Sequence, residues 1–254
     1  MQFTIQGHRL TVNMTGWAIL TEEVGRRLDA REGFALATLN LDHLVKLARS
    51  ETFRAAYAAQ DLVTADGNPI VWMSRLARRS VDLIPGSDAI VPLARLAAER
   101  GVPVAFVGST KPALDGAAAC LERLVPGLTV VTRLAPPMGF DPDGAGAEAV
   151  LAELEASGAG LTFVALGAPK QERFAAAGRQ RLPQMGFASI GAGLDFFAGT
   201  QERAPRWVRR MALEWVWRMA SSPRRLVPRY AACAAVLPGH ALRALRQRWR
   251  MPAV

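Results

Sequence analysis

The sequence predicts an α/β fold: a mostly parallel sheet with helices on both faces, followed by a helical extension rich in Arg and Trp. Three observations carry this reading. Short apolar runs recur at 34–39, 62–64, 102–107, 128–132, 161–166 and 187–190. They are continuous rather than alternating, which marks strands covered on both faces. Helical patterns separate them, and that rhythm implies parallel pairing through crossovers. The charge is also divided. From 201 onward the chain holds twelve Arg, no Lys and two acids, whereas its first 200 residues hold nineteen basic and twenty acidic residues. The whole net charge of +9 therefore sits on the tail.

Taken in order, residues 1–33 read as a lead-in. FTI and LTV have strand character and form a hairpin turning at Gly7-His8. Thr21 is expected to cap a helix over 22–30, with Glu22 and Glu23 at its positive end. The strand at 34–39 is followed by Asn40 and a helix over 42–49. The strand at 62–64 ends at Ala65-Asp66-Gly67, before a helix near 69–78. Ser87 or Asp88 opens a helix reaching Arg100. The strand at 102–107 ends at Gly108-Ser109-Thr110, and 111–124 is helical. After the strand at 128–132 comes a Pro-, Gly- and Asp-rich loop over 136–146, then a helix over 147–157. The strand at 161–166 ends at Gly167-Ala168-Pro169, and 171–181 is helical. The strand at 187–190 ends at Gly191-Ala192-Gly193. The organisation is a body over 1–200 and an appendage over 201–254.

Several function classes are excluded or left without support. Cys120 and Cys233 have no disulfide-framework spacing, so a reducing compartment is expected. The three His are isolated, and no Cys or His pair has zinc spacing, so no metal or other cofactor is expected. No secretory signal and no spanning helix are read. The longest uncharged stretch, 230–242, is interrupted by Pro238 and Gly239 and suits an interface at most. The Arg- and Trp-rich tail calls for an anionic partner. A membrane surface or lipid diphosphate, a nucleic acid, and a solvated basic helix packing its Trp into the core all fit the composition.

In parallel sheets ligands gather at the carboxyl ends of the strands. Asp66, beside a glycine that permits close approach, is placed to act as a general base, or simply to form an Asp-Gly turn. Thr38 and Asn40 can bond a sugar or phosphate, and Asn40 can equally cap the next helix. Gly108, Ser109, Gly191 and Gly193 can bring backbone N–H groups to a phosphate. Neither glycine turn is a GxGxxG or a P-loop, which weighs against a dinucleotide-dependent dehydrogenase. Gln171 and Glu172 open a helix.

Together the segments TLNLDH, TADGNPI, PGSD, FVGS, GAPKQE, GAGLDFFAG, RAP and LEWVWRM…PRRLVPRY resemble, in order and spacing, glycosyltransferase family 26, the WecG/TagA/CpsF family. The resemblance covers roughly residues 34–230. It implies an inverting, metal-independent transferase. The donor would be a UDP-sugar carrying N-acetylmannosamine, its uronic acid, glucose or glucuronic acid. The acceptor would be a polyprenyl-diphosphate-linked saccharide at the cytoplasmic membrane face. It also implies a Rossmann-like fold, peripheral attachment to an anionic membrane, possible homo-oligomers and no nucleic acid. The alternative is a non-enzymatic protein whose basic tail binds nucleic acid or anionic membrane. The family's roles map onto Asp66 as base, and onto Thr38, Asn40 and Gln171 as substrate contacts. Its appendage arginines map onto Arg218, Arg225 and, next to Pro228, Arg229. One position departs: where the family commonly has Arg before G-S-D, Leu83 stands, and Arg75, Arg78 or Arg79 would have to supply the charge.

Overall fold

The computed structural model describes residues 1–249 except 202–203, 206, 209–210 and 212, and leaves out the side chains of residues 218, 221 and 225. Its centre is a six-stranded parallel sheet. The strands are β3 (Phe34–Leu39), β4 (Leu62–Ala65), β5 (Val104–Gly108), β6 (Val130–Leu134), β7 (Leu161–Ala165) and β8 (Gly186–Ser189), in the order β4-β3-β8-β7-β5-β6. A separate hairpin, β1 (Gln2–Ile5) with β2 (His8–Thr11), precedes it. Its turn is Gln6-Gly7, both at positive φ, one residue earlier than the sequence suggested.

The pleat divides the strands between two faces. Phe34 and Leu36 of β3 enter one core with Val104, Phe106, Leu161 and Phe163. That core is covered by α1 (Trp17–Asp29), α5 (Gly86–Glu99), α6 (Lys111–Leu124) and the short α9 (Gly193–Phe197). Ala37 and Leu39 face the other side, beneath α2 (Leu41–Arg49), α3 (Glu51–Ala58) and α4 (Asn68–Leu76). Further along that side, α7 (Ala145–Ser157) and α8 (Lys170–Arg181) cover Val107, Val164 and Phe187. Both faces of every central strand are buried, which is why these strands read as unbroken apolar runs.

Three local expectations change. Helix α1 starts at Trp17, not Glu22, and Thr21 lies inside it, its hydroxyl donating back to the Trp17 carbonyl at 2.9 Å. Helix α3 is additional: Ser50 caps it by accepting from the Phe53 N–H at 3.2 Å, and Phe53, Ala56 and Tyr57 form its buried stripe. The third change is at the end of the chain. After α10 (Glu214–Ser221), helix α11 runs unbroken over Pro223–Trp249, with Pro228 and Pro238 inside it. Each proline removes a backbone donor and crowds the preceding turn. Packing holds the helix through them. Cys233 and Ala244 enter the core shared with the hairpin, α2 and α4. His240 stacks edge-on against Phe3, and Gln247 donates to the Gln2 carbonyl at 2.6 Å. The stretch 230–242 is thus part of a docked helix, unbroken at Pro238 and Gly239. Among the described residues no helix is long and apolar enough to cross a membrane.

Candidate active site

The carboxyl ends of β3 and β4 lie side by side. The Asp66 N–H donates to the Leu39 carbonyl at 2.8 Å, so Asp66 follows β4 in register with the end of β3. Asn40 does two things at once. Its Oδ1 accepts from the His43 N–H at 3.0 Å and caps α2, while its Nδ2 points to Asp66 Oδ2 at 3.4 Å. The capping and site readings of Asn40 are therefore one arrangement. Gly67 has φ +97°, which a side chain adopts only at a cost, and this turn starts α4 directly beside Asp66.

Thr38 is 4% exposed, one residue below the rim. Its carbonyl accepts the Tyr57 hydroxyl proton at 2.9 Å, and the Tyr57 oxygen lies 2.7 Å from His43 Nδ1. Since Tyr57 has spent its only proton on Thr38, His43 must carry hydrogen on Nδ1. Burial, reinforced by Lys46, pushes His43 down to about 3, so the ring is neutral at physiological pH. This network braces the end of β3 from below.

Leu83 sits where charge is missing. It forms a parallel bridge with Ala65, and Ile84 donates to the Ala65 carbonyl at 2.8 Å. It thus extends the sheet beside Asp66, with 37% of its surface exposed. Of the arginines suggested as replacements, Arg75 lies in the last turn of α4, Arg78 follows that helix at φ +54°, and Arg79 lies close enough to Met1 to act on its amine.

At the centre of the sheet, Gln171 and Glu172 open α8. Gln171 accepts the Gly191 N–H at 3.1 Å and donates to Glu172 Oε1 at 2.9 Å. On the far side Ser109, at φ +54°, donates its hydroxyl to Asp195, which also accepts from Gln201 Nε2 at 2.9 Å. A Cβ on Gly108 would fall 2.4 Å from the Ala165 oxygen, so glycine is required for β5 and β7 to end together. Gly193 meets α5 in the same way: its Cβ would fall 2.5 Å from Ile90. The N–H groups of Ser109, Gly191 and Gly193 donate within the protein, to Ala165, Gln171 and Ile190.

The extension reaches this rim through Arg229, whose Nε lies 3.0 Å from Asp42 Oδ1. Lys46 holds the other Asp42 oxygen at 2.8 Å and donates to the Ala168 carbonyl at 3.1 Å. Burial pushes Asp42 up, but Lys46 and Arg229 outweigh it and leave the carboxyl below its usual range. Arg229 is thereby tied to α2. Arg218 lies in α10 and Arg225 in α11, with side chains outside the described residues. Sequence reasoning named Thr38, Asn40, Asp66, Ser109, Gln171 and the glycines. It did not assign Asp195 a role, although Asp195 lies only four residues after Gly191, and it did not foresee the Asp42–Arg229 pair or the Tyr57–His43 brace.

The model of the glycosyl transferase WecG/TagA/CpsF family matches residues 5–253. The chain belongs to this family. As a WecG/TagA/CpsF glycosyltransferase it resembles two curated enzymes, each named N-acetylglucosaminyldiphosphoundecaprenol N-acetyl-beta-D-mannosaminyltransferase. The one from Bacillus subtilis (strain 168) is 26% identical over 212 residues, covering 80% of each chain. The one from Bacillus spizizenii (strain ATCC 23059 / NRRL B-14472 / W23) is 28% identical over 201 residues, covering 78% of this chain and 75% of its own. The family match extends through α10 and α11, so the Arg-rich extension is part of the WecG/TagA/CpsF unit.

Proposed function

We propose that this glycosyltransferase moves a sugar from a UDP-sugar to a polyprenyl-diphosphate-linked saccharide, with inversion, in bacterial cell-surface polysaccharide synthesis. N-acetylmannosamine is the first donor to test, because both relatives are named for its transfer. The observation that carries the reading is the Asp66–Asn40 pair, held at a strand end beside a glycine turn in a chain of this family.

The chemistry follows from that placement. In a single displacement the acceptor hydroxyl attacks the anomeric carbon as the bond to UDP breaks. Asp66 takes the hydroxyl proton, and Asn40 keeps the carboxylate aimed at the acceptor. Charge accumulates on the departing diphosphate, and Arg218 and Arg225 are the side chains proposed to offset it. Thr38, Gln171 and the glycine turns shape the donor rim. Gly108, Ser109, Gly191 and Gly193 would act there through position more than through their own N–H groups. Residues 1–200 form the catalytic body in this reading. Residues 201–254 bring it to the anionic cytoplasmic face of the membrane as a peripheral protein.

The test is UDP release by the purified chain across a panel of UDP-sugars, with and without a detergent-solubilised prenyl-diphosphate-sugar. Acceptor-dependent release with one donor supports the reading and names the sugar. No release with any donor, from folded protein with acceptor present, would overturn it.

A further inference from the structure

Helix α8 opens with a buried acid that the proposed chemistry does not use. Glu172 is 0% exposed. Its Oε1 accepts from Gln171 Nε2 at 2.9 Å, while its Oε2 is buried without a hydrogen-bond partner. Gln171 is itself 2% exposed. A backbone N–H can only donate, so the Gln171 oxygen must face Gly191. Its Nε2 must then face Glu172, which has to present an acceptor. Gly191 therefore fixes which way round the Gln171 carboxamide stands, and Glu172 completes the arrangement by accepting from its Nε2. The consequence spreads. Gln171 holds the turn at Gly191, that turn leads into α9, and α9 carries Asp195, which receives the Ser109 hydroxyl. A polar path thus joins the ends of β7, β8 and β5, and its innermost group is Glu172.

The surroundings favour the uncharged form. A buried carboxylate with one unpaired oxygen loses its hydration without compensation. From α2 the groups around this network are Lys46 and the neutral His43; from α3 it is Tyr57; beyond β4 it is Asp66, a second acid. Lys46 is engaged by Asp42 and by the Ala168 carbonyl. Arg173, next on α8, is drawn to Asp143 and Asp141. Tyr57 spends its proton on Thr38. Burial outweighs the bonds from Gln171 and from the residue's own backbone N–H and the pull of Lys46, and pushes the acid up to about 7.

We infer that Glu172 is a positioning residue that, as a neutral acid, anchors the Gln171 amide and thereby holds the donor rim at the carboxyl ends of β5, β7 and β8. The inference rests on the transfer reading above. The experiment compares wild type, Glu172→Gln and Glu172→Ala in UDP release between about pH 6 and 9, alongside an infrared titration for a protonated buried carboxyl. Ionised Glu172 would still accept from Gln171, but its unpaired buried oxygen would draw in water or Lys46 and shift the pair, so wild-type kcat/KM for the donor should fall by up to about tenfold per pH unit above the Glu172 ionisation, whereas Glu172→Gln, which keeps an acceptor and cannot ionise, should stay at the low-pH value. Glu172→Ala should raise the donor KM at every pH, because Gln171 loses the acceptor that anchors its Nε2. The protonated-carboxyl band should vanish in Glu172→Gln. A Glu172→Gln enzyme crippled at all pH beside a flat wild-type profile would overturn the inference, as would absence of the band. If wild type releases no UDP, the transfer reading fails, and the infrared titration, which needs no substrate, still decides whether Glu172 holds its proton.

Discussion

At Asp66 the expected base and the bland Asp-Gly turn share one geometry: the glycine at φ +97° starts α4 and leaves the carboxylate at the strand end. Asp66→Asn keeps the shape and removes the basicity. The turnover rate should fall by roughly 100- to 10,000-fold while UDP-sugar binding, followed by calorimetry, changes little. Near-normal turnover would remove Asp66 from the role. Asn40→Ala should act differently, because it loses both the α2 cap and the contact to Asp66. It should destabilise the fold by about 1 kcal/mol and also lower turnover, whereas Asn40→Ser, still a cap, should recover the stability without the turnover. Equal recovery of both by Ser would leave Asn40 a cap and nothing more. Leu83 supplies a gain-of-charge test. It lies beside Asp66 with over a third of its surface open, so Leu83→Arg can be accommodated. The donor KM should drop by about tenfold, the scale of one charge-assisted bond to a diphosphate. An unchanged KM would mean that the diphosphate lies elsewhere. Asp66 and Asn40 were legible in sequence because each follows an apolar strand, and Leu83 because it departs from the family pattern. Glu172 was visible only as a helix opener, since its burial depends on α3 and on Gln60, which donates to its carbonyl at 3.0 Å from far along the chain.

Elements α2, α3 and α8 meet at Tyr57, and their two buried titratable groups pull stability in opposite directions. His43 is depressed from 6.5 to about 3, so the native state binds fewer protons than the unfolded chain in that window and stability rises with pH. Glu172 is raised from 4.5 to about 7, so the native state holds more protons there and stability falls with pH. Where the windows overlap the two slopes oppose. In Glu172→Gln the opposing slope is gone, and urea midpoints should rise between about pH 4.5 and 6.5 more steeply than in wild type. Parallel midpoint curves for the two proteins would show that Glu172 does not hold its proton in the native state. Helices α3 and α11 show where sequence reasoning stops. The first has a Ser cap and a three-residue stripe, a short signal easily taken for loop. The second contains prolines that ordinarily end a helix, and it persists because α2, α4 and the hairpin lie against it. The central strands were legible because burial on both faces writes itself into consecutive residues. Packing between distant elements leaves no such local trace.

For the whole molecule, the division of charge places a basic, aromatic extension on a nearly neutral body, and the packing decides how it can be tested. Cutting the chain at 201 would strip Cys233 and Ala244 out of the core shared with α2 and α4, so lost activity could reflect unfolding. Surface charge is the cleaner lever. Arg224, Arg243, Arg246 and Arg248 are exposed on α11, as are Val227, Leu242 and Trp249, and Trp215 and Trp217 are exposed on α10. Each Arg near an anionic bilayer contributes about 1 kcal/mol, so replacing Arg243, Arg246 and Arg248 by Gln should weaken binding to phosphatidylserine-containing vesicles by roughly 100-fold. The thermal midpoint should hardly move, because these side chains lie outside the core. Raising the salt should weaken wild type much more than the triple variant, since a single Debye length of about 8 Å already screens exposed charges at physiological ionic strength. Turnover on a short water-soluble acceptor should be preserved while turnover on a vesicle-borne acceptor falls. Equal vesicle binding by both proteins would mean that the extension serves the body alone, with its charge directed at substrate phosphate rather than at the membrane.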